Sequence, residues 1–343
     1  KLRIVKAVIF MLLSLLFIAF MVLTATADVS IKTKIIEQHE PAASEDAKTV
    51  AETLTIPDTE KNSSVLKKPL SFKDSDCKPK KENPNAVAVL NEKEMTTLMN
   101  AIAHNNIELI ENTLADGKEI NKTANGFSPL IIAILNNNST VAEKLIQYGA
   151  EIDFISPVTG KTALFYAVEK ENIPIALLLL SKGADINQKD NSCNTLLSYA
   201  VDQNDLQKST LLLQNGADPN VIVSNSAPLI FLAIEHSNEK ITELLLQYGA
   251  NPIELNKEGE LPIMSALDRK LFNIADLLID AGSDVNMEIQ SGITLLENYV
   301  IKNDIDAVRF LITRKADPHI SVANKNAIKI AKDRKLREIE EIL

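Results

Sequence analysis

The chain has 343 residues, of which 45% are hydrophobic and 24% charged, an ordinary globular balance that permits a sizeable core. Its net charge is −10, and the acid sits in the body: residues 1–30 carry +2, residues 31–90 balance, and residues 91–343 carry −12. That argues against nucleic-acid binding, which needs clustered Lys and Arg against phosphates. The two cysteines, Cys77 and Cys193, are too few for a disulfide framework or a structural zinc site.

The chain opens with Lys1, Arg3 and Lys6, followed by 21 uncharged residues, Ala7–Ala27. That run is long enough to cross a bilayer as a single hydrophobic helix. It ends in Ala25-Thr26-Ala27, the small-x-small form of a signal-peptidase site. Segment 1–27 is therefore either an uncleaved anchor or a cleaved signal. The positive flank keeps the amino end in the cytoplasm and sends the rest across the membrane. The preferred setting is a bacterial inner membrane with a periplasmic repeat domain; otherwise the chain is periplasmic or secreted after cleavage near Ala27.

Residues 28–90 mix charges of both signs with Pro, Ser and Thr and keep no apolar period. They read as a disordered tether, spanning about 40–45 Å on average. Cys77 lies in this tether.

From residue 91 the chain repeats itself. "TTLMNA" (96–101), "SPLIIA" (128–133), "TALFYA" (162–167), "TLLSYA" (195–200), "PLIFLA" (228–233), "LPIMSA" (261–266) and "TLLENY" (294–299) open successive units, and "NAIKIA" (326–331) opens a partial last one. The steps are 32, 34, 33, 33, 33, 33 and 32 residues. Gly117, Gly149, Gly183, Gly216, Gly249 and Gly282 each stand 21 residues after a unit start. Each unit reads as a helix, a turn, a second helix ending in paired leucines, and a Gly exit through a left-handed residue. Ser128, Thr162, Thr195 and Thr294 are placed to cap the first helix, and Pro129 and Pro262 to occupy its first turn. Two departures make the unit at Thr294 the least ideal and the one expected to fray. Lys315 replaces the exit Gly and Tyr299 replaces the small Ala.

These motifs resemble the ankyrin repeat: a Thr-Pro-Leu-His-x-Ala opening, a helix pair and a Gly-Ala-Asp-x-Asn ending. The resemblance covers residues 91–343, about seven repeats plus a polar C-terminal cap. The family's opening His is absent from every unit. The resemblance implies an all-α solenoid of helix pairs with short β-turn fingers, and a non-catalytic protein-binding or scaffold role on the concave and finger face. No enzyme motif competes with it: His39, His104, His236 and His319 share no metal-ligand spacing, and there is no phosphate loop or nucleophile elbow. No cofactor, metal or small-molecule substrate is expected. A structural subunit of a membrane-envelope complex and a secreted effector remain alternatives.

The candidate partner-binding residues come from the repeat register. Seven residues after each start, the four central units carry Glu169, Asp202, Glu235 and Asp268, and the next position carries Lys170, Gln203, His236 and Arg269. Carboxylates at this period should stand about 10 Å apart and suit a partner with a basic segment. The competing view is a solvated surface whose acids are offset by Lys170 and Arg269. Phe127 and Ile293 are apolar near turn tips, where packing and binding explain them equally. Cys193 stands at the β-turn Gly position, and two unpaired thiols are expected, with a Cys77–Cys193 bridge as the alternative in an oxidising compartment.

Overall fold

The computed structural model describes residues 95–343, apart from 224–226, 290–291 and 321–325. Residues 1–27 and 28–90, and with them the anchor, the tether and Cys77, lie outside the described residues. Among those described there is no strand and no helix long and apolar enough to cross a membrane.

Seven helix pairs follow one another. The first helices are Thr97–Ala103, Pro129–Leu135, Ala163–Glu169, Leu196–Asp202, Leu229–Glu235, Pro262–Asp268 and Leu295–Ile301. The second helices are Ile107–Asp116, Ser139–Gln147, Ile173–Ser181, Leu206–Gln214, Glu239–Gln247, Phe272–Asp280 and Ile305–Thr313. A shorter terminal pair, Ala327–Arg334 and Arg337–Ile342, closes the array. We number the repeats 1 to 7 from Thr96.

The first helices start where the hydroxyls were placed. Thr96, Ser128, Thr195 and Thr294 accept from the backbone N–H of the third helical residue, a cap worth about 1 kcal/mol. Thr162 departs from the expectation: it makes no cap bond, and its buried hydroxyl has no hydrogen-bond partner. Pro129 and Pro262 do sit in the first helical turn.

A second signal sits in the turn between the paired helices. Asn105, Asn137, Glu171, Asn204, Ser237, Lys270 and Asn303 all have φ between 50° and 62°. Among residues with a Cβ, Asn reaches this left-handed region most cheaply because its short side chain bonds locally. The next residue caps the second helix: Asn106, Asn138, Asn172, Asp205, Asn238 and Asp304 each accept from an N–H in the following turn. Leu271 is the exception in repeat 6.

Packing follows the register. Ala101, Ala133, Ala167, Ala200, Ala233 and Ala266 are all buried, which lets the helix pairs close. Of the leucine pairs, the second member is the deeply buried one: Leu179, Leu212, Leu245 and Leu278. Each such burial contributes roughly 1.5–3 kcal/mol. The buried side chains form one continuous core from Leu98 to Ile339. Phe127 belongs to it with no exposed surface, and Ile293 packs against it, so packing accounts for both.

The first helices of repeats 1 and 2, 2 and 3, 4 and 5, and 5 and 6 lie backbone against backbone. They approach less closely between repeats 3 and 4, where Phe165 meets Tyr199, and between repeats 6 and 7, where Tyr299 stands. Tyr299 has no exposed surface and donates its hydroxyl to the Met264 carbonyl at 3.1 Å. Its helix also carries a full capping box, Thr294 with Glu297. The expected weakness of repeat 7 therefore does not lie in Tyr299, which fills the space that Ala would leave.

The fingers are turns closed by isolated bridges such as Ile222–Pro228 and Glu288–Thr294. An asparagine ladder joins successive repeats. The side-chain oxygens of Asn121, Asn187, Asn220 and Asn286 accept from the N–H groups of Glu151, Asp218, Asn251 and Asp317 in the next repeat. Cys193 has φ 66°, as its Gly position requires, and is buried. Whether it pairs with Cys77 is a question that lies outside the described residues.

Lys315 has φ 67° and bears a Cβ where the left-handed region disfavours one, at a cost of about 1–2 kcal/mol. Lys315→Gly should therefore raise stability by about 1 kcal/mol, read from the urea midpoint at unchanged m-value.

Candidate partner-binding face

Glu169, Asp202, Glu235 and Asp268 are the last residues of four consecutive first helices. All four are exposed. A carboxylate at that end meets the negative pole of the helix dipole, which disfavours it by about 0.3–1 kcal/mol. Lys170, Gln203, His236 and Arg269 are the C-cap residues directly after them.

The structure pairs these residues differently from the sequence-based view. Neither Lys170 nor Arg269 forms an ion pair among the described residues. Asp202 meets His236 of the next repeat at 3.5 Å, and Asp268 meets Lys302 of the next repeat at 2.8 Å. Each contact runs diagonally, from the end of one first helix to the C-cap of the following one. Glu169 meets Lys161 at 2.5 Å. Glu235 has no ion pair among the described residues. Pairs this exposed contribute at most about 1 kcal/mol each, so the face is anionic and its cations are loosely held.

Lys161 and Glu260 also flank this face, outside the two columns that the register picks out. Each is the residue just before a repeat start, the position that Phe127 and Ile293 occupy elsewhere. Counting one step back from each start would have found them beside the acidic column. The Lys161 ammonium lies 5.9 Å from the centre of the Phe165 ring and 5.3 Å from that of Tyr199. The two rings meet edge to face at 6.1 Å. The Tyr199 hydroxyl donates to Asp190 at 2.6 Å, and that buried carboxylate also accepts from the Ser192 and Asn194 N–H groups. A cavity of about 150 Å³ opens beside the rings, between the first helices of repeats 3 and 4.

At the other end of the column Lys302 repeats part of this arrangement. Its ammonium lies 4.9 Å from the Tyr299 ring centre and binds both oxygens of Asp268. Burial raises the Glu260 carboxyl above its ordinary value; the Asn256 hydrogen bond opposes the shift and the Asp268 charge adds to it. Burial likewise pushes the Tyr299 hydroxyl up. On the second-helix side Lys208 is drawn down by burial but held up, on balance, by Asp205 and Glu171. No group of His, Cys, Asp and Glu among the described residues could hold a metal ion.

A family model of ankyrin repeats matches residues 61–156, 98–190 and 197–289, more than half of the chain. The chain belongs to the ankyrin repeat family. Ankyrin repeats mark it as a protein–protein interaction module, and ankyrin repeat domains are in general non-catalytic. A stretch of 99 residues is 31% identical to the BRCA1-associated RING domain protein 1 of Caenorhabditis elegans, covering 29% of this chain and 14% of that protein. Another of 91 residues is 33% identical to the ankyrin repeat protein nuc-2 of Neurospora crassa, covering 26% of this chain and 8% of that protein. The chain thus spans a small part of these relatives. Among solved structures, an ankyrin repeat domain from Acinetobacter baumannii AYE is 26% identical, with a TM-score of 0.49 over 55% of this chain and 98% of its own. The ankyrin repeat domain of Bcl-3 is 22% identical, with a TM-score of 0.49 over 72% of this chain and 97% of its own.

Two outcomes follow from the electrostatics. Glu235→Gln removes an unpaired charge from a helix C-terminus and should stabilise the array by about 0.3–1 kcal/mol, measured by urea unfolding. Glu260 has a folded-state pKa above its unfolded one, so the folded state holds more protons between the two values, and stability falls as pH rises through that window. Glu260→Gln should therefore stabilise at pH 7 and give no gain at pH 3.5, where both states are protonated.

Proposed function

We infer that the array holds a protein partner through a basic segment laid across the ends of the first helices in repeats 3 to 6. One observation carries this: four consecutive first helices end in an exposed carboxylate, the charge their dipoles disfavour. The C-cap residues Lys170, Gln203, His236 and Arg269 form the border of that surface and tune which basic sequence fits. A partner's cations would replace weak internal pairs, gaining the carboxylate and the helix end together. With no Trp in the chain, charge matching carries more of the specificity than aromatic anchors do. The preformed surface also limits the ordering cost of binding.

The same reading places the array on the exported side of a membrane, held by residues 7–27 and spaced by 28–90.

The test is capture from extracts of the source cell by the full chain, beside a variant with Glu169, Asp202, Glu235 and Asp268 all changed to Lys. Circular dichroism would confirm that the variant keeps its fold. A protein retained by the first and lost by the second supports the acidic column as the site. Equal capture by both removes the column from the binding surface. Separation of membrane and soluble fractions tests the anchoring.

A further inference from the structure

In the cavity between repeats 3 and 4 a carboxylate, two aromatic rings and open volume coincide. Phe165, Leu196, Val168 and Ala200 give it an apolar wall, Tyr199 adds a second ring, and Glu169 and Gln203 supply acceptors. Its volume of about 150 Å³ is roughly ten times what one water needs. The first-helix backbones of repeats 3 and 4 approach less closely here than those of repeats 4 and 5.

Lys161 shows what chemistry the place favours. Its ammonium sits on Glu169 at 2.5 Å while standing over both rings, yet the residue does not line the cavity. A cation is thus drawn to the rim of the cavity by the carboxylate and the ring faces. Lys302 offers the contrast: it pairs with Asp268 and stands over a single ring, that of the fully buried Tyr299. Lys208, the other cation on the wall, is bound to Asp205 at 3.3 Å and Glu171 at 3.4 Å. The wall and its paired side chains therefore hold three carboxylates to two ammonium groups.

We propose that this cavity receives one arginine side chain of the partner's basic segment, and that Lys161 is its internal stand-in, displaced on binding. Arginine fits better than lysine on three counts. Its plane can lie against a ring, its fork can pair with both oxygens of Glu169, and its weaker hydration lowers the cost of entering an apolar cavity. A lysine would only replace Lys161 like for like. The proposal rests on the basic-segment reading above but names a different set of residues, Phe165, Tyr199 and Lys161, as its determinants.

The test uses the full chain and two nonapeptides, one with a single central Arg among Gly and Ser and one with Lys in its place. A third, all-basic nonapeptide probes the column as a whole. Affinity is read by titration, and contact by the ring resonances of Phe165 and Tyr199. Lys161→Gln should tighten the Arg peptide at least threefold and leave the Lys peptide the weaker ligand. Tyr199→Leu in the Lys161→Gln background should cancel that gain. Since Tyr199→Leu also loses the Asp190 hydrogen bond, the gain from Lys161→Gln and the ring shifts stand as independent readouts. Unmoved ring resonances, or equal affinity with and without Lys161, overturn the proposal. If the all-basic peptide still binds in that case, the acidic-column reading survives alone. If the Arg peptide moves the rings while the all-basic peptide fails to bind, the cavity stands and the column reading falls.

Discussion

Every stable feature of this protein depends on the fact that one helix pair cannot bury its own apolar side. Leu179, Leu212, Leu245 and Leu278 are sealed only because another repeat lies against them. The small alanines near the ends of the first helices let that neighbour approach. Stability is then carried from repeat to repeat, and the stack behaves as a one-dimensional chain of interfaces. Side-chain chemistry reinforces the same direction. Asparagines in the fingers, and ion pairs such as Arg314 with Asp276 and Lys270 with Asp304, join neighbouring units rather than closing contacts within one.

Where two first helices are forced apart, the same constraint yields a surface feature. Between repeats 3 and 4 the rings of Phe165 and Tyr199 meet, the backbones approach less closely than between repeats 4 and 5, and a cavity lined by the two rings opens there. At repeat 7 a single Tyr in place of Ala spaces the helices but plugs the space itself. Wider spacing of the first helices thus goes with an opening in one place and a filled joint in another. The acids at the helix ends add a second tension, because they oppose the dipole and offer charge to solvent. Features that cost stability at regular spacing are where a partner would have most to gain.

Much of the fold was legible in the sequence, because packing writes a period. Unit starts, Pro129 and Pro262, the buried alanines and the left-handed Lys315 all follow from the register. The turn between paired helices was equally periodic, in Asn105, Asn137, Asn204 and Asn303, but its signal is a backbone conformation rather than hydrophobicity. The acidic column was legible as a column, whereas its pairings were not. They depend on rotamers, so Lys161 and Lys302 rather than Lys170 and Arg269 pair with its two end members, Glu169 and Asp268. Thr162 shows the limit in the other direction: the right residue at the right position makes no cap bond.

The distance from each full repeat's start to its exit position is 21 residues without exception, while the stretch from that exit to the next start varies from 11 to 13. The helix pair therefore has a fixed length and the finger absorbs all the slack. A residue added within a pair would turn an apolar stripe away from its neighbour and break the seal on both sides. A residue added in a finger leaves the stack in phase. Variation in such a chain is channelled to the fingertips, and any gain or loss of length in the body comes as a whole repeat.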